Sequence, residues 1–247
     1  MKNDYLPMNR NDMSIRGWKQ CDFVYVSGDA YVDHPSFGCA IITRTLQAYG
    51  YSCAILPQPD WHNDEEFTQF GEPRLGFLVS AGNIDSMVNH YSVNKRRRDK
   101  DSYSDEGVMG KRPDRPTIVY TQILKRLFPH KPVLIGGIEA SLRRLSHYDY
   151  WDDRVRRSIL IDSQADLLMY GMGENTIVEV ADALNSGLRA EDLCYIRGTC
   201  WKTKSLEYLS DYLLLPSYDE VCADKRTYAK SFHVQHENID AIAASVL

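Results

Sequence analysis

The sequence predicts an α/β fold, a doubly wound, mostly parallel, Rossmann-like sheet. Three observations carry this expectation. Short apolar runs alternate with segments of helical apolar spacing, the pattern of βαβ units. Four runs end in glycine or other small residues, where a strand turns into a loop or helix. One run, Val133-Leu134-Ile135, reads as a buried strand broken at Gly136-Gly137, with Glu139 in the first turn of a following helix.

The elements follow in order. Asp22-Phe23-Val24-Tyr25-Val26 is the first strand and ends at Ser27-Gly28-Asp29. After the loop Asp33-His34-Pro35-Ser36, a helix spans about Phe37 to Tyr49, and Gly50 sits where a C′ glycine ends it. Cys53-Ala54-Ile55-Leu56 is the second strand, stopped by Pro57 and Pro59, and Leu75 to Val79 the third, running into Ser80-Ala81-Gly82-Asn83. Val133 to Ile135 is the fourth. Leu167 to Tyr170 is the fifth, ending in Gly171-Met172-Gly173-Glu174. A helix from Asn175 to Asn185 places Ile177, Val180, Ala181 and Leu184 on one face, with Gly187 beyond its end. A strand pair is expected at Leu193 to Ile196 and Thr199 to Lys202, turning at Arg197-Gly198.

Two regions break the alternation. Lys95 to Pro116 mixes eight basic and five acidic residues without apolar periodicity, and is expected to be a solvated, flexible insertion. Beyond Asp219, Tyr228, Phe232, Ile239, Ile242 and Val246 recur at helical intervals up to the last residue, with no cap or polar tail. The expected organisation is a Rossmann-like domain over 1–215, carrying the insertion near 95–116, and a helical linker over 216–247 leading to a further domain.

Composition bounds the function classes. The 247 residues exceed the usual domain of about 100–150, yet one α/β domain with insertions absorbs them. With 43% apolar and 26% charged residues and a net charge of −5, the chain reads as a globular protein and not as a nucleic-acid coat. No run approaches the roughly 18 apolar residues of a membrane span. The N-terminus shows no apolar signal segment, so a cytoplasmic location is expected. The six cysteines are scattered without a C-x2-C pair, which argues against a disulfide framework and against a metal or iron–sulfur site built from them alone.

In a parallel sheet the four small-residue strand ends share one edge, where open α/β sheets bind ligands. Glycine lets backbone approach a ligand, and helix N-termini offer free N–H groups to anions. No P-loop motif is present, and the stretch beginning Gly171-Met172-Gly173 lacks the third glycine of the dinucleotide fingerprint. His233 and His236 stand three apart with no third metal ligand nearby. Behind Glu139, Arg143, Arg144, Arg154, Arg156 and Arg157 interleave with His147, Tyr148, Tyr150 and Trp151. Asp149, Asp152 and Asp153 can pair with Arg154, Arg156 and Arg157 in an ion-pair network with aromatic stacking that fixes a long connection. The other reading is a non-enzymatic RNA- or protein-binding module using 143–157.

The segments Asp33-His34-Pro35-Ser36-Phe37-Gly38, VLIGGIEASLRRLSHYDYWDDRVRRSIL and GMGENTIVEVADAL together resemble the N-terminal region of YgiQ-type radical SAM proteins, over essentially the whole chain. The resemblance implies a longer protein in which a C-x3-C-x2-C motif of a downstream barrel holds a [4Fe–4S] cluster that binds S-adenosylmethionine. That motif is absent here, so the resemblance implies no catalytic residue in this chain. The domain also looks like the cobalamin-binding domains that precede many radical SAM barrels, although Asp33 and His34 are adjacent instead of forming D-x-H-x-x-G. The expected role is to shape the substrate or cofactor crevice of the barrel, acting on an unknown substrate. The ligand-edge residues are Asp33, His34, Gly136, Gly137, Glu139, Gly173 and Glu174.

Overall fold

The computed structural model describes residues 5–207, 209–210 and 212–239. Ile242 and Val246 of the expected C-terminal pattern lie outside them. The chain forms two compact units, Met1–Arg144 with Ile159–Lys202, and Leu145–Ser158 with Thr203–Leu247. The divisions between these units fall after 202 and on both sides of 145–158.

In the first unit, α1 (Arg10–Ile15) leads into β1 (Phe23–Ser27), α2 (Gly38–Ala48), β2 (Cys53–Pro57), α3 (Asp64–Thr68), β3 (Gly76–Ser80), α4 (Ser86–His90) and α5 (Pro116–Leu127). Then come β4 (Val133–Gly136) and α6 (Gly137–Leu142). The chain leaves for β5 (His147–Asp149) and β6 (Arg154–Arg156) of the second unit, then returns through α7 (Ile159–Asp162), β7 (Leu167–Met169), α8 (Glu174–Asn185) and β8 (Thr199–Cys200).

The sheet order is β2-β1-β3-β4-β7-β8, with every pairing parallel except the last. This bears out the expected α/β class. Alternate strand residues face opposite layers, as period-2 geometry requires. Phe23, Tyr25, Ile55, Leu78, Leu134 and Leu167 pack with Leu46 of α2 and Ile177 and Val180 of α8. Val24, Val26, Leu56, Phe77, Val79 and Ile135 pack with Phe67 of α3 and Tyr120 and Leu124 of α5. With both faces covered, β1 and β3 are buried along their whole length. Gly50 and Gly187 both hold φ +90°, the left-handed turn that ends α2 and α8.

Two expectations are corrected, and one helix is added. Only Thr199–Cys200 of the expected strand pair is a strand, and it pairs antiparallel with β7 through Leu168↔Cys200 and Met169↔Thr199. Leu193 and Ile196 instead follow a single 3-10 turn, Ala190–Asp192, and bury their side chains in the α2/α8 layer. Helix α5 was not foreseen, although Pro116 at its start is a favourable first residue. Lastly, the 95–116 insertion is not simply solvated, because Arg112 within it is 1% exposed.

In the second unit, β5 and β6 form an antiparallel hairpin with register His147↔Arg156 to Asp149↔Arg154. The hydroxyl of Tyr228 accepts from the Tyr148 amide at 3.1 Å. That contact ties the hairpin to α10 (Lys225–Glu237), which follows α9 (Tyr218–Ala223). No described helix is long and apolar enough to cross a membrane.

Candidate functional site

Register aligns the carboxyl ends of the strands. Ser27 of β1 pairs with Ser80 of β3, and Ser80 with Gly136 of β4. The connections from β1 and β3 leave to opposite faces, so a topological switch point lies between these two strands, where doubly wound folds open a ligand crevice. Here the insertion fills it. The Arg112 guanidinium donates to Asp29 Oδ1 at 2.8 Å and to the Ala81 carbonyl at 2.7 Å. It also forks onto both oxygens of Asp101 at 2.9 Å. Asp29 Oδ2 accepts the Asn83 amide at 2.7 Å, and burial pushes the Asp29 carboxyl up to about 6. Gln58 bridges the Gly28 carbonyl and the Ser104 hydroxyl at 2.9 and 2.7 Å, pinning the insertion from a second side.

The open space lies beside this plug. A cavity of about 230 Å³ is lined by strand residues Tyr25, Leu78, Leu134 and Met169 and by Gly136 and Gly137. Gly38, Ile41 and Ile42 of α2 and Gly173, Glu174 and Ile177 around the start of α8 complete its walls. Backbone geometry accounts for the glycines. Gly137 holds φ +79°, and a Cβ there would sit 3.2 Å from Ser80 Cβ. The buried Tyr25 hydroxyl donates to Ser80 Oγ at 3.0 Å, so the cavity floor carries no unpaired group from this tyrosine.

Of the residues singled out from sequence, Gly136, Gly137, Gly173 and Glu174 line the cavity, and Asp33, His34 and Glu139 do not. Asp33 binds the Arg44 guanidinium, whose hydrogen bonds hold its carboxyl below the usual range. The exposed His34 accepts the Ser36 amide on Nδ1 at 3.1 Å. Glu139 is 1% exposed; its two oxygens accept Ser86 N–H and Thr117 N–H, each at 3.3 Å. These amides open α4 and α5, so one carboxylate caps two helices. Burial pushes its carboxyl above the usual range, and nearby Asp85 adds to the shift. Tyr25, Ile41 and Ile42 line the cavity without having been foreseen, since buried apolar residues of a strand and a helix look alike whether or not a void adjoins them.

Within the Arg-rich segment, Arg143 pairs with Asp85, and Arg144 lies 4.9 Å over the Tyr170 ring. Arg156 reaches Asp149 at 2.6 Å and also binds Asp152. The two Arg156 pairs belong to the expected ion-pair network, whereas the partners of Arg143 and Arg144 lie outside it.

Residues 5–247 match the radical SAM N-terminal family. The chain belongs to that family. A UPF0313 protein of Clostridium perfringens is 53% identical over 247 residues, covering all of this chain and 37% of the relative. A UPF0313 protein of Clostridium botulinum is 50% identical over 244 residues, 99% of this chain and 38% of the relative. The radical SAM N-terminal chain therefore spans a little over a third of the length of these relatives. Among solved structures, the radical S-adenosylmethionine methyltransferase TsrM from Kitasatospora setae, with cobalamin and a [4Fe–4S] cluster bound, aligns at TM-score 0.47 and 18% identity over 75% of this chain and 28% of its own. The same enzyme with tryptophan substrate and a SAM analogue bound aligns at TM-score 0.48 and 18% identity, over 74% and 28%.

The cofactors of radical SAM chemistry can be tested against the residues of this radical SAM N-terminal chain. Among the described residues, no group of three or more His, Cys, Asp or Glu side chains is placed to hold a metal. Burial raises the thiols of Cys21 and Cys39 to about 12, the reverse of what thiolate ligation needs. A cluster does not fit here. Axial ligation of cobalamin by His34 does not fit either, because the residue is not among those that line the cavity.

Proposed function

We propose that this chain is the leading module of a cytoplasmic radical SAM [4Fe–4S] enzyme, and that its carboxyl edge shapes the substrate or cofactor crevice of a barrel carried by the rest of the polypeptide. The family match over residues 5–247 carries the reading. A [4Fe–4S] cluster with S-adenosylmethionine supplies one-electron reductive cleavage to a hydrogen-abstracting radical; its ligands lie outside this chain.

The residues here bind and exclude water. Gly136, Gly137 and Gly173 let backbone approach a bound group, and the side chains of α2 and α8 wall it off from solvent. The Arg112 plug keeps the β1/β3 crevice filled, so a ligand enters beside α8. Residues 216–247 act as the linker.

The test is S-adenosylmethionine cleavage by the full-length polypeptide after anaerobic cluster reconstitution and reduction. Formation of 5′-deoxyadenosine, lost when the cluster cysteines are replaced, supports the proposal. A reduced, intact cluster that yields no 5′-deoxyadenosine refutes it.

A further inference from the structure

Two helices of eleven and twelve residues, α2 and α8, begin at the walls of the cavity, at Gly38 and Glu174. Neither N-cap residue, Phe37 nor Gly173, caps its helix with its own side chain. In this fold class such an arrangement ordinarily receives a phosphate on free N–H groups. The cavity itself argues otherwise. Apart from glycines its lining residues are apolar or aromatic, among them Tyr25, Ile41, Ile42, Leu78, Leu134 and Ile177, and the one charged residue on it is Glu174. Glu174 stands in the first turn of α8, where a carboxylate already complements the helix dipole and repels a second anion. The Gly38 amide is also taken, donating to Asn83 Oδ1 at 3.2 Å.

We propose that this cavity binds an uncharged, apolar group and rejects phosphate. The inference deepens the reading of this edge as a ligand crevice and rests on it. Size narrows the class further. At about 230 Å³ the space falls below the roughly 300–1,000 Å³ of sites that enclose whole small molecules. It takes one moiety of a ligand, of the bulk of a bicyclic ring. A larger remainder stays outside, past Met172, which lines the mouth and is 87% exposed.

The geometry supplies filling variants that leave the fold intact. A Cβ on Gly38 meets nothing within 4 Å, and one on Gly173 rests 3.7 Å from Ile42 Cδ1, an ordinary contact. Neither glycine needs a positive φ. A Cβ is therefore tolerated at both positions, and Gly38→Leu and Gly173→Leu extend a side chain from residues that line the cavity.

The experiment is ligand-observed NMR and titration of the intact polypeptide with 1-naphthol and 1-naphthyl phosphate, a pair differing in one charged group. The expected result is saturable 1-naphthol binding at least about tenfold tighter than the phosphate, a gap worth ~1.4 kcal/mol. Both leucine variants abolish it while keeping the wild-type melting temperature, and Glu174→Gln narrows the gap. Equal or tighter binding of the phosphate overturns the proposal, as does 1-naphthol binding that survives both leucine variants. Absence of binding by either probe also overturns it. Formation of 5′-deoxyadenosine by the same preparation reports separately on the radical SAM reading, so the two can fail independently.

Discussion

Replacing Arg112 with methionine keeps the aliphatic bulk of the side chain and deletes its guanidinium. The structure gives the guanidinium four hydrogen bonds, to Asp29, to the Ala81 carbonyl and two to Asp101, all between 2.7 and 2.9 Å. Both carboxylates are 1% exposed or less, so the substitution strands two acids away from water. Removing one partner of a buried ion pair costs about 3–5 kcal/mol. That is a large part of the roughly 5–15 kcal/mol that holds a domain together. With a urea slope near 2 kcal/mol per molar, the midpoint falls by about 1.5–2.5 M. Tryptophan fluorescence reads this directly, because Trp18, Trp61 and Trp201 all pack on the core of the first unit. Arg126→Met is the matched control. Its pair with Asp64 is about half exposed, 57% and 48%, so solvent screening leaves it little weight in stability. If Arg112→Met loses no more stability than Arg126→Met, the buried plug at the switch point does not exist as described.

Three further outcomes follow from the same geometry. A Cβ on Gly28 would lie 2.3 Å from the Ala81 carbonyl oxygen, so Gly28→Ala forces β1 and β3 apart and costs about 1–3 kcal/mol in thermal unfolding. Glu139→Ala leaves the Ser86 and Thr117 amides buried without their acceptor and costs about 2–4 kcal/mol, whereas Glu139→Gln keeps one acceptor oxygen and loses about half as much, both read by urea titration. The third concerns pH. Burial raises the Asp29 carboxyl from 3.8 to about 6, so the folded chain holds this proton more tightly than the unfolded chain does. Its contribution is complete below about pH 4 and is lost as pH rises through about 6, up to roughly 3 kcal/mol. The stability difference between wild type and Asp29→Asn falls across that window; a flat difference contradicts the assignment.

The sheet was legible in the sequence because buried parallel strands are short, apolar throughout and bounded by turn residues. Phe23–Ser27 and Gly76–Ser80 show this most plainly, each shifted by a single residue from its expected place. The glycines at the strand ends also announced the carboxyl edge, and four of the seven residues drawn from it line the cavity. The insertion was misread for a physical reason. Its charges resemble a solvated loop, and nothing local reveals that Arg112 meets an acid 83 positions earlier in the chain. Glu139 was placed correctly at the start of a helix, but its work is to satisfy amides that open two other helices. Leu193 to Ile196 has the apolar character of a strand, and Leu193 and Ile196 are buried, yet the edge of β7 is taken by Thr199–Cys200.

The central claim is that this family member contributes the crevice and not the cluster. Anaerobic iron–sulfur reconstitution of the 247-residue chain beside the full-length polypeptide tests it most directly, with iron and sulfide counted per chain. The account predicts a [4Fe–4S] spectrum and matching iron in the full-length polypeptide, with neither in this chain. A stoichiometric cluster held by the 247 residues alone would contradict it.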